Sequence, residues 1–246
     1  EYLKKRDARM RELIEKVGYI QRRVDCELFP SVVHQIVGQQ ISTKAMETIW
    51  SRINSALGVI DAETILSAGA DYLQALGISY RKADYIIQFA RKVSDGELEL
   101  ESLWTKSDDE VIKELSALKG VGEWTAEMIL LFCMQRPNVF SYNDLAIQRG
   151  LRMVYHHRSI SRELFEKYRR RFSPYCSVAS LYLWAAAGGA LSGAVMGGTV
   201  NTARFGAARQ TGYDAAARQG GVPASEPKPE HSRGVAAVFA GLLLAM

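Results

Sequence analysis

Up to about residue 188 the apolar residues recur at helical spacing, and no stretch shows the strict alternation of a half-buried strand. That pattern restricts the chain to an all-α fold. Ser42 can cap a helix whose apolar positions Ala45, Ile49, Ile53 and Leu57 repeat every four residues, with Gly58 as its stop. Ser79 opens another, in which Ala83, Ile86, Ile87, Ala90 and Val93 form one face, Arg81, Lys82, Arg91 and Lys92 flank it, and Gly96 ends it. Ser107 and Glu110 have the spacing of a capping box ahead of Val111, Ile112 and Leu115. A further helix carries Ala126, Ile129, Leu130 and Cys133. It must stop before Pro137, because proline lacks an amide proton and disfavours helix in the residue before it. Helices are also expected around 145–155, 162–172 and 175–187.

Composition narrows the class only slightly. The 246 residues, 48% of them hydrophobic, can build one large domain or two small ones with a sizeable core. A formal charge of +4 suits a nucleic-acid partner, and it suits an ordinary mildly basic surface as well. Cys26, Cys133 and Cys176 lie far apart in no ligand-like spacing, and an odd number does not suit a disulfide framework, so a reducing, cytosolic setting is expected. Residues 1–16 are charged and offer no apolar signal region, so secretion is not indicated. The longest apolar run, Gly234 to Met246, falls short of the ~20 residues that span a bilayer, so no membrane partner is expected. From Ala190 onward the chain has one lysine, Lys228, no tryptophan and no cysteine, with many Gly, Ala and Arg residues and Pro223, Pro227 and Pro229. Few large side chains are there to offset the entropy of ordering, so 190–246 reads as a low-complexity, flexible tail in which Val235 to Leu244 could form a short apolar helix.

Leu118-Lys119-Gly120-Val121-Gly122 lies between two amphipathic helices, with glycines where the chain must reverse tightly and approach another surface. Its outward amides, and the N-terminus of the helix beginning near Glu123, are unpaired donors at a positive dipole end. Such a turn grips a phosphate backbone without reading sequence. A plain helix-turn-helix connection would fit the glycines equally well.

The residues beyond the hairpin are more specific. Leu118 to Ala126, with Glu123-Trp124-Thr125, and then, about twenty residues later, Asp144 in Tyr142-Asn143-Asp144-Leu145-Ala146-Ile147-Gln148-Arg149-Gly150, resemble the helix-hairpin-helix DNA glycosylase superfamily. Val37-Gly38-Gln39-Gln40-Ile41-Ser42 resembles that family's loop beside the flipped nucleotide, and Leu76-Gly77-Ile78-Ser79-Tyr80-Arg81-Lys82-Ala83 a second characteristic turn. Tyr175 to Trp184 is similar to the closing helix of the 3-methyladenine DNA glycosylase II branch. The resemblance spans about residues 20–189.

It implies a helix-hairpin-helix DNA glycosylase fold with two helical subdomains flanking a cleft. The helical domain would be 1–189, with a central subdomain of about 31–140 and the other half built from 1–30 and 141–189. No counterpart is expected for the β domain that precedes this fold in some longer relatives. The implied partner is double-stranded DNA containing a damaged base, bound by a monomer associated with the nucleoid. Asp144 takes the place of the carboxylate that stabilises positive charge on the sugar as the base departs and that orients or deprotonates the attacking water. From the local sequence alone Asp144 reads as an N-cap for the helix at Leu145, and the two roles are compatible because a capping carboxylate is held rigidly.

Trp124 stands where bifunctional members carry a Schiff-base lysine, and tryptophan cannot form that adduct. Lys119, on the hairpin tip, is assigned to phosphate. A monofunctional enzyme using water is therefore implied. Gln40 and Ile41 are the candidates to fill the gap left by the extruded base, with Gln39 and Gln40 as ordinary polar loop residues the alternative. Trp124, Trp184 and, more weakly, Tyr142 match pocket-lining positions, where electron-rich rings would attract a cationic alkylated base by roughly 0.5–2 kcal/mol. Trp184 could equally be core. Cys176 is the one cysteine where the endonuclease III branch holds an iron-sulfur cluster with four, so no cluster is expected, and His156 and His157 show no zinc-like spacing and are expected at the surface of a helix end. No organic cofactor is implied. The hairpin's main-chain carbonyls at Ser116, Leu118 and Val121 would hold a monovalent cation. Two other functions stay open at this point: a glycosylase for an oxidised or mismatched base, and a non-catalytic DNA-binding module that kept the hairpin.

Overall fold

The computed structural model describes residues 1–190 apart from Arg23 and Cys26, so the expected tail beyond residue 190 lies outside the described residues. Among the described residues every regular element is helical. Side-chain caps account for most of the helix starts. Asp7 accepts the Met10 amide at the head of α2 (Ala8–Val17), which comes after the short α1 (Tyr2–Arg6). After α3 (Leu28–Val37), Ser42 caps α4 (Thr43–Leu57), which Gly58 ends as its periodicity requires. Asp61 caps α5 (Ala62–Ala75) and Ser79 caps α6 (Tyr80–Ser94). The Ser107–Glu110 capping box forms with both of its bonds at α7 (Asp108–Ser116). Each such cap contributes about 1 kcal/mol to its helix.

Three further helices come after the hairpin and its own helix α8 (Glu123–Phe132): α9 (Leu145–Tyr155), α10 (Arg162–Phe172) and α11 (Cys176–Ala185). The last continues into a π turn, Ala186–Ala190. The helices divide by their packing. α3 packs on α4, α6 and α8, α5 lies along α6, and α7 along α8; α2 packs on α9 and α11, and α1 on α10. The N-terminal helices thus join the C-terminal ones, and the middle of the chain forms the other half.

α8 lies at the seam. Every residue from Trp124 to Phe132 is buried, so this helix is wetted on no face beyond its first turn. Its last residue, Phe132, stacks on Trp184 of α11 at 5.8 Å. Phe140 stacks on Phe165 at 4.4 Å and meets Phe172 edge-on, closing the core beneath α10. α9 and α11 cross unusually closely: a Cβ at Gly150 would stand 2.3 Å from the carbonyl oxygen of Leu183. Only glycine allows that approach.

The structure adds α1, α2, α3 and α5 to the helices read from the sequence and corrects one face. α5 buries only Ile65 and Leu73 fully and is bent at Gly69, so its apolar repeat is broken and periodicity does not mark it. On α6, Phe89 is buried and belongs to the inward face together with Ala83, Ile86 and Ala90, while Ile87 and Val93 are only partly covered.

Candidate active site

The hairpin between α7 and α8 is anchored from inside. Leu118 and Val121 are buried, Lys119 is exposed, and the Val121 amide donates to the Leu118 carbonyl at 3.1 Å to close the turn. Gly120 takes φ 81°, and a Cβ there would lie 2.3 Å from the Tyr85 ring of α6. Gly122 is different: its φ is −93° and a Cβ would meet nothing within 4 Å. Of the two glycines only the first is demanded by geometry. Gly122 is the N-cap of α8 and supplies no side-chain acceptor, which leaves the first amides of that helix uncapped by side chains. The Ser116 hydroxyl is buried without a hydrogen-bond partner, on the residue whose carbonyl is expected to bind a cation.

The loop after α3 meets this hairpin. Gln39 donates its amide nitrogen to the Gly120 carbonyl at 2.6 Å, spanning 81 residues of sequence. Gln40, next along, is exposed and takes φ 56°, a left-handed conformation uncommon outside glycine. Ile41 is half-buried. The two glutamines therefore have separate duties: Gln39 is structural, and Gln40 is presented outward.

Asp144 stands at the head of α9, almost wholly buried at 6% exposure. Its Oδ1 accepts the amides of Ala146 at 2.8 Å and Ile147 at 2.9 Å. Its Oδ2 accepts the indole N–H of Trp124 at 3.0 Å. The cap read from local sequence is present, and the second oxygen is tied across the seam to α8. Each carboxylate oxygen has about two lone-pair sites, so Oδ2 keeps one acceptor position after the indole is satisfied.

Two more bonds run from α8 to the segment that carries Asp144. Asn143 donates to Glu123 at 3.2 Å, and the fully buried Ser141 hydroxyl donates to Glu127 through a short hydrogen bond. Gln148 of α9 closes the turn from the other side by donating to the Tyr142 carbonyl at 2.6 Å. Burial pushes the Glu127 carboxyl up to about 7 against the lowering effect of the Ser141 bond, and the charges of Glu123 and Asp144 add to the rise. Sequence reasoning missed Glu127. The signal was one acid inside the otherwise apolar run from Ala126 to Leu131, which on a helix buried all round must find an internal partner.

Trp184 is 3% exposed and lies against Phe132, and Tyr142 is half-buried with its ring edge-on to Phe165 at 5.1 Å and the Arg162 guanidinium 4.7 Å above it. The structure thus brings Trp124 to Asp144, sets Trp184 at the far end of α8, and engages Tyr142 with α10. His156 ends α9 in a left-handed conformation and is exposed, whereas His157 is half-buried and bonded to the Tyr168 hydroxyl at 2.7 Å. Among the described residues no group of His, Cys, Asp and Glu side chains could hold a metal ion, and no helix is long and apolar enough to cross a membrane.

An all-helical fold carrying a DNA-type hairpin beside a buried aspartate defines a small class. Residues 33–174 match the family described as HhH-GPD superfamily base excision DNA repair protein, and the chain belongs to it. The structure of a Bacillus halodurans DNA-3-methyladenine glycosidase is similar with a TM-score of 0.70 and 33% identity, over 78% of this chain and 89% of that one. The Schizosaccharomyces pombe 3-methyladenine DNA glycosylase in complex with abasic DNA is similar with a TM-score of 0.64 and 27% identity, over 72% of this chain and 90% of that one. Bacillus subtilis YfjP is 28% identical over 65% of this chain, which spans only 59% of YfjP's own length. The expected branch of the superfamily is borne out by these relatives, as is the two-part all-α fold.

Proposed function

We propose that this chain is a monofunctional DNA glycosylase that hydrolyses the N-glycosidic bond of alkylated purines of the 3-methyladenine and 7-methylguanine type. The observation that carries this reading is the Trp124–Asp144 bond: the indole occupies the place of a Schiff-base lysine and aims the free lone pair of Asp144 Oδ2. The central helices, about 31–140, face the unit made by 1–30 and 141–189, and the lesion enters between them. Lys119 and the main-chain amides of Gly120 and Gly122 hold a backbone phosphate, while Val121, whose amide is bonded to the Leu118 carbonyl, fixes the turn that presents them. A monovalent cation on the carbonyls of Ser116, Leu118 and Val121 would add positive charge at that phosphate, and the orphaned Ser116 hydroxyl supports an oxygen-rich site there. Gln40 and Ile41 enter the stack as the damaged nucleotide leaves it.

Beside Asp144, Trp124 offers aromatic surface to a cationic base, while Trp184, buried against Phe132 at the far end of α8, takes the core role and Tyr142 is engaged by Phe165 and Arg162. As the C1′–N bond breaks, its electron pair passes to the base, which its own positive charge favours. The sugar gains positive charge, and the Asp144 carboxylate stabilises it from a site that excludes bulk water. Water then bonds to C1′ and loses a proton, with Asp144 as the acceptor or orienting group. An abasic site and a free base result. No step requires an organic cofactor.

The test is release of 3-methyladenine and 7-methylguanine from methylated duplex DNA, with Asp144→Asn in parallel. Absence of both bases from the wild-type reaction would sink the alkylation reading. Trapping of a protein–DNA adduct by borohydride would contradict water as the nucleophile.

A further inference from the structure

The loop bearing Gln40 and the hairpin are far apart in sequence, and the structure joins them through one helix. α6 supplies two residues one turn apart. Tyr85 lies under Gly120, where only a glycine fits against its ring. Lys82 donates from Nζ to the carbonyls of Val37 at 2.8 Å and Gln39 at 2.5 Å. Val37 is the last residue of α3, so the ammonium sits at the negative end of that helix and satisfies a carbonyl with no intrahelical partner. The Gln39 backbone is thus bound to α6, and its side chain is bound to the hairpin.

Gln40 is the first residue beyond this double attachment. Its left-handed backbone, φ 56°, follows directly on the residue that Lys82 and Gly120 hold. Lys82 lies half-buried, and Arg81 beside it is exposed. A lysine near the start of a helix in a DNA-binding protein would ordinarily be assigned to phosphate. Lys82 instead spends donors on main-chain carbonyls inside the protein.

We propose that Lys82 is a positioning residue for nucleotide extrusion: with Gln39 and Tyr85 it fixes the spacing between the hairpin that holds the phosphate and Gln40, which enters the stack. The proposal rests on the glycosylase reading and adds the residues that couple gripping to flipping. Holding the backbone at one point while a side chain enters the duplex at a fixed offset concentrates the distortion on one nucleotide. A loop free to slide would bind DNA without driving any base out.

The experiment uses the full chain with Lys82→Met, which keeps the side chain's length and removes its donors. A duplex carrying 2-aminopurine beside the lesion reports extrusion by its fluorescence, and single-turnover base release at saturating protein reports the chemistry. Lys82→Met is expected to lower release by about tenfold or more and to remove most of the fluorescence rise. Affinity for a duplex with a stable abasic analogue should stay within about threefold, and the slope of log affinity against log salt should not change. Lys82→Arg, which restores charged donors, is expected to recover most of the fluorescence signal.

A salt slope shallower by about 0.9 with normal release at saturation would make Lys82 a phosphate contact and overturn the proposal. Unchanged release and fluorescence would overturn it as well. So would a lowered melting temperature with parallel loss of affinity and release, which would assign Lys82 to fold maintenance. Gln39→Leu removes only the bond to Gly120 and is read by the same two signals. It must lose the fluorescence rise if the coupling exists, whatever becomes of Lys82→Met. If the wild-type protein releases no base, the glycosylase reading fails; if it does and the variants match it, only the coupling fails.

Discussion

The hairpin and the Asp144 pocket solve opposite problems. On the proposed function the hairpin offers a ligand main-chain amides and the exposed Lys119, and its buried side chains hold the turn from beneath. At Asp144 the group offered is a side chain, buried to 6% exposure and held by main-chain and indole N–H donors. A surface that grips a repetitive polymer can rely on backbone and charge, because it needs no discrimination among bases. A group that must meet one sugar atom needs a fixed direction and exclusion of bulk water, which requires partners from two separate helices. Changes at the hairpin should therefore alter affinity, and changes at Asp144 should alter rate.

The largest test of that division is Asp144→Asn. Base release should fall by about 10²–10³ or more while duplex affinity stays near wild type, because the amide keeps the cap but carries no charge to stabilise the sugar. A comparable loss of affinity would erase the distinction.

Next in size is a stability effect on the pocket side alone. Below the ordinary value of 4.5, Glu127 is neutral whether the chain is folded or not; between there and about 7 the unfolded chain has lost the proton and the folded chain still holds it. Stability should thus decline as pH rises through that window and level off above it, by on the order of 3 kcal/mol. Glu127→Gln should flatten the decline in denaturant titrations at pH 5 and pH 8. An equal decline in the variant would show that some other group causes it.

On the hairpin side, Gly120→Ala should weaken duplex binding by roughly tenfold, since strained φ and displacement of Tyr85 cost about 1–2 kcal/mol. Gly122→Ala should stay within about 0.5 kcal/mol, as its backbone is ordinary and its surroundings open. If both variants bind equally badly, the hairpin grips by flexibility rather than shape. A small effect of another kind is expected for Lys119→Ala. Its affinity should drop uniformly across sequences, with a salt slope shallower by about 0.9 and an unchanged rate at saturation.

The contrast also decides which features are legible in the chain itself. Caps at Ser42, Ser79 and Ser107 and the turn around Gly120 are local events, written within four residues of where they act. The cap by Asp144 is visible for the same reason. The pairing of Trp124 with Asp144, of Glu123 with Asn143, and of Glu127 with Ser141 depends on how α8 lies against the turn before α9, and local spacing carries none of that. Resemblance supplies the importance of Trp124 and Asp144 without their bond, and it supplies nothing for Glu127. The flanking position of Lys82 is likewise silent about its partners, since only the packing of α3 on α6 shows that its ammonium faces carbonyls.

The contact between Gly150 and the Leu183 carbonyl reaches further than core packing. Gly150 lies six residues beyond Asp144 on the same helix stem, about 9 Å along its axis at 1.5 Å per residue. It acts as a gauge stop: the depth to which α9 seats against α11 sets where the carboxylate at its tip projects. A single methyl group there would move the tip by a fraction of its own diameter, and misplacement of a reacting group by about 1 Å can cost 10²-fold in rate. If Asp144 acts as proposed, reactivity can thus be detuned from a position outside the pocket lining, by a change that screens of that lining would never sample.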